Sequence, residues 1–301
     1  MPLFVYHPSY ELKWGEHVFP VEKYRLLHDR LIAEGLVAED GFLVPEPVCE
    51  ADLLLVHEPG YLRRLDALAA NPLAAYFEAE APFNRDVADA VSYGTGGTIL
   101  ACARAAADGT AALNLGGGFH HAFPDRGEGF CFINDVAVAI RAVQRRGLIR
   151  RAAVIDCDLH QGNGTAAIFA SDPDVFTFSI HQEALYPVPK QHSDLDIGLD
   201  PLADDATYVA HLGEHVPRIL DAHRPELVLY VAGADPYEGD QLGNLALTKP
   251  GLEQRDRLVI GAARERGIPL AAVVAGGYAR HTADVVDIHL ATCRVLRELW
   301  Q

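Results

Sequence analysis

Short runs of Val, Ile, Leu and Ala recur along this chain with charged residues kept to their edges, and this pattern limits the available folds most. The runs span residues 3–6, 53–57, 111–115, 152–156, 175–180, 227–232 and 270–275. A strand reads as continuously apolar when both faces of its sheet are covered. Between the runs lie segments with helical spacing. In 20–34, Val21, Tyr24, Leu27 and Leu31 recur at helical intervals; 88–107, 133–146, 206–222, 250–266 and 282–299 follow. The alternation predicts an α/β fold, a largely parallel sheet with helices on both faces. No repeat, linker or charge block divides the 301 residues, so a single domain over 1–301 is expected.

In open parallel sheets, ligands bind outside the carboxyl ends of the strands. The residues that follow each run are therefore the candidates. Gly116-Gly-Gly-Phe-His120-His121 follows one run, and Cys157-Asp158-Leu-His160-Gln-Gly162-Asn163-Gly164 another. His181 and Leu185-Tyr186-Pro187, Gly233-Ala-Asp235, and Gly276-Gly277-Tyr278 follow three more. Asp156, Asp158 and His160 alternate, so a strand continuing through them would aim all three at one face. Such a cluster is costly to bury unless a cation sits there. Asp158, His160 and Asp235 offer one nitrogen and two carboxylate oxygens, a donor set for Zn²⁺ with an open position, or for Fe²⁺. Asp158 with His160 alone also reads as a buried ion pair, and Asp235 alone as a turn cap. His120 and His121 suit proton transfer near neutrality. The phenol of Tyr278 suits hydrogen bonding to a developing oxyanion. Cys131 and Cys157 read as packing residues.

The formal charge is −17, from 25 Lys and Arg against 42 Asp and Glu. It argues against nucleic acid as a partner and favours cationic ligands, although an acidic surface also serves solubility alone. Five cysteines without a C-x-x-C pair speak against a disulfide framework or a structural zinc cluster and fit a reducing compartment. The start of the chain has no secretory pattern, and no apolar run of about 18 residues is present for a membrane span. A cytoplasmic location with no membrane association is expected.

Taken together, the motifs resemble a known family. His120-His121, Gly129-Phe130-Cys131, Asn134-Asp135, Asp156-x-Asp158-x-His160-x-Gly162-Asn163-Gly164, Asp235 with Gly239-Asp240-x-Leu242-Gly243, and Gly276-Gly277-Tyr278 look like the zinc-dependent histone deacetylases. Order and spacing match over residues about 110 to 280. His160-Gln161-Gly162-Asn163-Gly164, and His17-Val-Phe-Pro20 followed by Lys23-Tyr24, resemble the class IV branch and its bacterial relatives. The resemblance implies the arginase–deacetylase fold with an eight-stranded parallel sheet. It implies Zn²⁺ on Asp158, His160 and Asp235, activating water and polarising an amide carbonyl. His121 would be the general base and later acid, His120 its electrostatic partner and Tyr278 the oxyanion donor. Asp156 would partner His120, and Asn163 would partner His121. Gly129, Phe130, Tyr186 and Leu242 would line a narrow substrate channel. K⁺ would sit near Asp156, Asp158, His160, Ser179 and Ile180, and a second K⁺ near Phe169 and Val175. Lys23 would line an acetate exit tunnel.

The resemblance implies removal of acetyl or other acyl groups from lysine in a protein or peptide. Hydrolysis of acetylpolyamines or another small amide is the alternative, and an acyl-lysine binding protein with weak catalysis a third. Two positions depart from relatives. Ala275 stands where many have a further glycine. Gly162 stands where the arginases have the aspartate needed for a second metal, which argues against guanidine hydrolysis.

Overall fold

The computed structural model describes residues 1–300. Eight strands are assigned among them: β1 (Leu3–Val5), β2 (Phe42–Leu43), β3 (Ala111–Asn114), β4 (Ala152–Asp156), β5 (Val175–Gln182), β6 (Leu195–Leu199), β7 (Leu227–Val231) and β8 (Leu270–Val273). They form one sheet in the order β2-β1-β3-β8-β7-β4-β5-β6, and every neighbouring pair runs parallel. The α-helices are α1 (Lys23–Ala33), α2 (Glu50–Leu53), α3 (Pro59–Leu68), α4 (Pro72–Ala79), α5 (Arg85–Asp108), α6 (Asp135–Arg145), α7 (Asn163–Phe169), α8 (Asp205–His223), α9 (Lys249–Glu265) and α10 (Thr282–Leu299). Helices α2, α5, α6 and α7 pack with one another, as do α1, α8, α9 and α10. These two helical layers make the inner strands apolar throughout: every residue of β3, β4, β7 and β8 is buried.

The sequence pattern misplaces the edges. Residues 53–57 are not a strand; they close α2 and the turn after it. Their apolar side chains are only partly covered, and Asp52 beside them is buried against Arg145 (2.5 Å) and Arg146 (2.9 Å) of the α6 end. The edge strands β2 and β6 escape an apolar-run reading because one has two residues and the other carries Asp196 and Gly198. Helices α3 and α4 also go unmarked by the helical spacing.

A buried ionic network braces the central strands. Asp256 on α9 accepts from Arg255 Nε (2.9 Å), Tyr230 Oη (2.5 Å) and Thr292 Oγ1 (2.6 Å). Arg255 Nη1 in turn donates to the carbonyls of Gly233, two residues before Asp235, and Cys157, next to Asp158. Removing one partner leaves the other charge buried and uncompensated, which costs far more than the pair contributes. Asp256→Ala is expected to lower unfolding free energy by about 3–5 kcal/mol, measured by chemical denaturation.

Candidate metal centre and catalytic cluster

The sheet order puts the carboxyl ends of β3, β8, β7 and β4 side by side. Although β3 and β4 follow each other in sequence, β8 and β7 lie between them. The segments after these four strands therefore meet at one rim, the crevice where such sheets bind ligands. Extended geometry ends at Asp156. The chain then turns, so Asp156, Asp158 and His160 do not share a strand face as their alternation suggests. Instead Asp158 and His160 turn toward Asp235 from the β7 end, and one ligand atom from each lies within 4.8 Å of the others.

Both carboxylates in this cluster are tied to the backbone, Asp158 through both oxygens, its Oδ1 accepting from His160 N (3.0 Å), and Asp235 through one. Asp158 Oδ2 accepts from Gly276 N (3.0 Å) and Asp235 Oδ1 from Leu159 N (3.0 Å). The other oxygens approach the same atom, His160 Nδ1, at 3.2 Å (Asp158) and 3.3 Å (Asp235). Asp235 Oδ2 is buried without a hydrogen-bond partner. Burial and the like charge of Asp158 push the Asp235 carboxyl above the usual carboxylate range. Burial disfavours the His160 cation, yet its hydrogen bond with Asp158 and the charges of Asp158 and Asp235 lift it to about 10. The proton drawn to His160 thus occupies a place where two carboxylates require positive charge. Two oxygens and one nitrogen, buried, converging and short of a cation, fit a divalent metal with an open coordination position. Glycine is needed here: a Cβ on Gly276 would lie 2.2 Å from Asp235 Oδ2 and 2.6 Å from Asp158 Oδ2.

The two histidines are held by the start of α6. Asp135 accepts from Gly118 N (3.0 Å) and Phe119 N (2.7 Å), and Asn134 Nδ2 donates to the carbonyls of His120 (3.3 Å) and Ala122 (3.1 Å). His120 Nδ1 lies 2.7 Å from Asp156 Oδ2, and His121 Nδ1 lies 2.7 Å from Asn163 Oδ1. These different partners separate two adjacent rings. Burial lowers His120, but the charges of Asp156 and Asp158 outweigh it and bring the imidazole up to about 9. Burial, together with the charges of His120 and His160, holds His121 well below its ordinary value. The two environments push adjacent rings in opposite directions, His120 toward the cation and His121 toward the neutral form. A Cβ on Gly164 would meet the His121 carbonyl carbon and oxygen at 2.6 Å, which accounts for glycine beside Asn163.

Tyr278 closes the site from the β8 end. Its N–H donates to Asp240 Oδ2 (2.7 Å), and its carbonyl accepts from Gln241 Nε2 (2.8 Å). Burial raises the phenol well above its ordinary value, so it remains a hydrogen-bond donor. A cavity of about 170 Å³ reaches this cluster, with His121, His160 and Tyr278 in its lining and Gly129, Phe130, Tyr186 and Leu242 among its walls. Phe130 adopts φ +66, and its N–H donates to Ala79 O (2.8 Å). That left-handed conformation costs a non-glycine residue about 1–2 kcal/mol.

The segments expected near K⁺ are also placed. Ser179 pairs with Asp156 in the β4–β5 register, with Ile180 next along β5. Phe169 ends α7, Val175 begins β5, and Asp172 N donates to the Phe169 carbonyl (2.9 Å). A smaller inner cavity of about 20 Å³ is enclosed in part by Phe19, Tyr24, Cys131 and Ala275, and Lys23 lies against it, its ammonium 4.4 Å from the Phe19 ring centroid. Its buried ammonium donates to the Ala275 carbonyl, and burial lowers it to about 8. Residues the sequence left without a role include Asp240, which secures both Tyr278 and Leu242 through their N–H groups, and Glu80, which lines the channel cavity. The Gly239-Asp240 motif was the available signal for the first; Glu80 has none.

Fold and site together define an α/β protein of the arginase–deacetylase type. The chain belongs to the histone deacetylase family: the Histone deacetylase domain model matches residues 17–293. An uncharacterised protein of Picosynechococcus sp. is 42% identical, covering 98% of this chain and 98% of its own length. Histone deacetylase 2 of Arabidopsis thaliana is 33% identical, over 94% of this chain and 76% of that protein. The crystal structure of an acetylpolyamine aminohydrolase from Burkholderia pseudomallei superposes with a TM-score of 0.83 at 22% identity, covering 99% of each chain. The family is one of deacetylases and related amidohydrolases, and among the described residues no helix is long and apolar enough to cross a membrane.

Proposed function

We propose that this chain is a zinc-dependent hydrolase that removes acetyl or other acyl groups from the side-chain amine of lysine. The observation that carries the reading is the Asp158–His160–Asp235 cluster, buried at a cavity whose lining also holds His121 and Tyr278. These three residues would hold Zn²⁺, with Fe²⁺ as the alternative. When bound, the metal supplies Lewis acidity toward the amide carbonyl and the attacking water. Neutral His121 takes the water proton at Nε2 and returns it to the leaving amine. Asp156 keeps His120 cationic beside the developing negative charge. The Tyr278 hydroxyl donates a hydrogen bond to the tetrahedral oxyanion. Phe130, Tyr186 and Leu242, with Gly129, clasp an unbranched apolar stem and leave the amide at the inner end. Main-chain oxygens around Asp156, Asp158, His160, Ser179 and Ile180, and around Phe169 and Val175, are the proposed K⁺ positions.

One observation favours a second substrate. Glu80 lines the same cavity, and burial with the nearby charge of Glu128 raises its carboxyl. A cation there would relieve that cost, as the free ammonium of an acylated polyamine would. The experiment compares turnover of an acetyl-lysine peptide and N-acetylputrescine by zinc-loaded protein. A higher kcat/KM for the peptide is expected. Preference for N-acetylputrescine would transfer the reading to small amines, and failure to hydrolyse any acylated amine would overturn it.

A further inference from the structure

Behind the proposed base lies a carboxylate that the reaction above does not use. Asn163 Nδ2 donates to Glu128 Oε1 at 2.7 Å, while Asn163 Oδ1 faces His121 Nδ1 at 2.7 Å. His121 and Asn163 are buried, whereas the Glu128 side chain is 25% exposed. We propose that Glu128 is a positioning residue: through Asn163 it sets which nitrogen of His121 carries the proton. The proposal rests on the hydrolytic reading, in which His121 must accept a proton at Nε2.

An amide can present either end to an imidazole. With its oxygen toward His121, Nδ1 carries hydrogen and Nε2 keeps a bare lone pair. With its NH₂ toward His121, Nδ1 is bare and Nε2 carries the hydrogen, so the ring has no base to offer. Asn163 alone does not choose between these arrangements. An ionised carboxylate only accepts, so Glu128 draws the NH₂ to itself and turns the oxygen to His121. His120 Nε2, 3.2 Å from His121 Nε2, favours the same tautomer only while it carries a proton. Glu128 also supplies, one group further back, a negative charge that a neutral amide lacks when His121 becomes cationic.

The carboxylate is itself held. Glu128 N–H donates to the Cys131 carbonyl (3.0 Å), Cys131 N–H returns a bond to the Glu128 carbonyl (2.9 Å), and Arg126 Nε lies 3.5 Å from Oε2. The same turn carries Gly129 and Phe130 into the channel wall. The residue that fixes the base is thus built into the segment that shapes the substrate passage.

An imidazole in the wrong tautomer can lose up to about 10⁴-fold in kcat. E128A removes the acceptor; E128Q substitutes a group that donates as readily as it accepts. For zinc-loaded E128A acting on an acetyl-lysine peptide, kcat is expected to fall about tenfold or more, with KM within about threefold. E128Q should fall between E128A and the parent. Nitrogen NMR of histidine-labelled protein, with His121 assigned by its loss in His121→Ala, should show the Nδ1–H form giving way to Nε2–H. A carboxylate at position 163 needs no partner to direct it. The double variant E128A/N163D should therefore recover to within about threefold of the parent, while N163D alone, with two carboxylates in contact, should not. Parental kcat in E128A would overturn the proposal. So would a fall in kcat with the tautomer unaltered and no recovery in the double variant. The tautomer is read without substrate, so absence of turnover in the parent would sink the hydrolytic reading and leave this assignment to the spectra.

Discussion

Asp235→Ala is expected to leave the protein folded and without tightly bound metal, as elemental analysis of the purified variant will show. Asp235 contributes the oxygen that lies buried without a hydrogen-bond partner, 3.3 Å from His160 Nδ1. Its removal leaves one carboxylate and one imidazole, too few donors for a tetrahedral site with an open position. Loss of an outer hydrogen-bond partner costs a metal site about 10–100-fold in affinity; loss of a ligand should cost more. The substitution also strips Leu159 N of its acceptor, worth about 1–3 kcal/mol when the group stays buried. Asp235→Asn separates the two effects. It keeps an oxygen for Leu159 N and lowers the charge, so it should restore stability without restoring full metal content. Unchanged metal content in Asp235→Ala would remove Asp235 from the ligand set.

Tyr278→Phe is expected to lower kcat by about 10²–10³-fold, the loss seen when one oxyanion donor is removed, with metal content unchanged. The ring is fixed independently of its hydroxyl. Asp240 and Gln241 hold the main chain of Tyr278, while Phe19, Phe130 and His160 meet the ring edge to face, with centroids 5.8, 6.1 and 6.2 Å away. Phenylalanine therefore keeps the packing and removes only the donor. Because the interaction forms with the oxyanion, kcat and kcat/KM should fall together while KM changes little. A variant with parental kcat would exclude the phenol from the reaction.

The sequence discloses this fold where burial is complete and hides it where burial is partial. β3, β4, β7 and β8 are covered on both faces and read as unbroken apolar runs. β2 and β6 lie at the edges, and the amphipathic 53–57 segment imitates a strand while closing a short helix. The site is legible in a similar way. Gly276, Gly164 and the His120-His121 pair are visible because close approach and proton chemistry restrict the residue type. Alternation alone assigned Asp156, Asp158 and His160 to one face. The strand's end at Asp156 and the insertion of β8 and β7 between β3 and β4 instead bring Asp235 to the cluster and Asp156 to His120. Glu128 and Asp240 act across 35 and 38 positions of sequence, through contacts that exist only once the rim is assembled.

The central claim is that metal held by Asp158, His160 and Asp235 is required to hydrolyse an acylated amine. Its most direct test follows metal content and initial rate on an acetyl-lysine peptide in one preparation, before chelation, after it, and after return of Zn²⁺. About one metal ion per chain is expected, with the rate lost on chelation and regained with zinc. Undiminished turnover by metal-free protein, or stoichiometric zinc without turnover of any acylated amine, would contradict it.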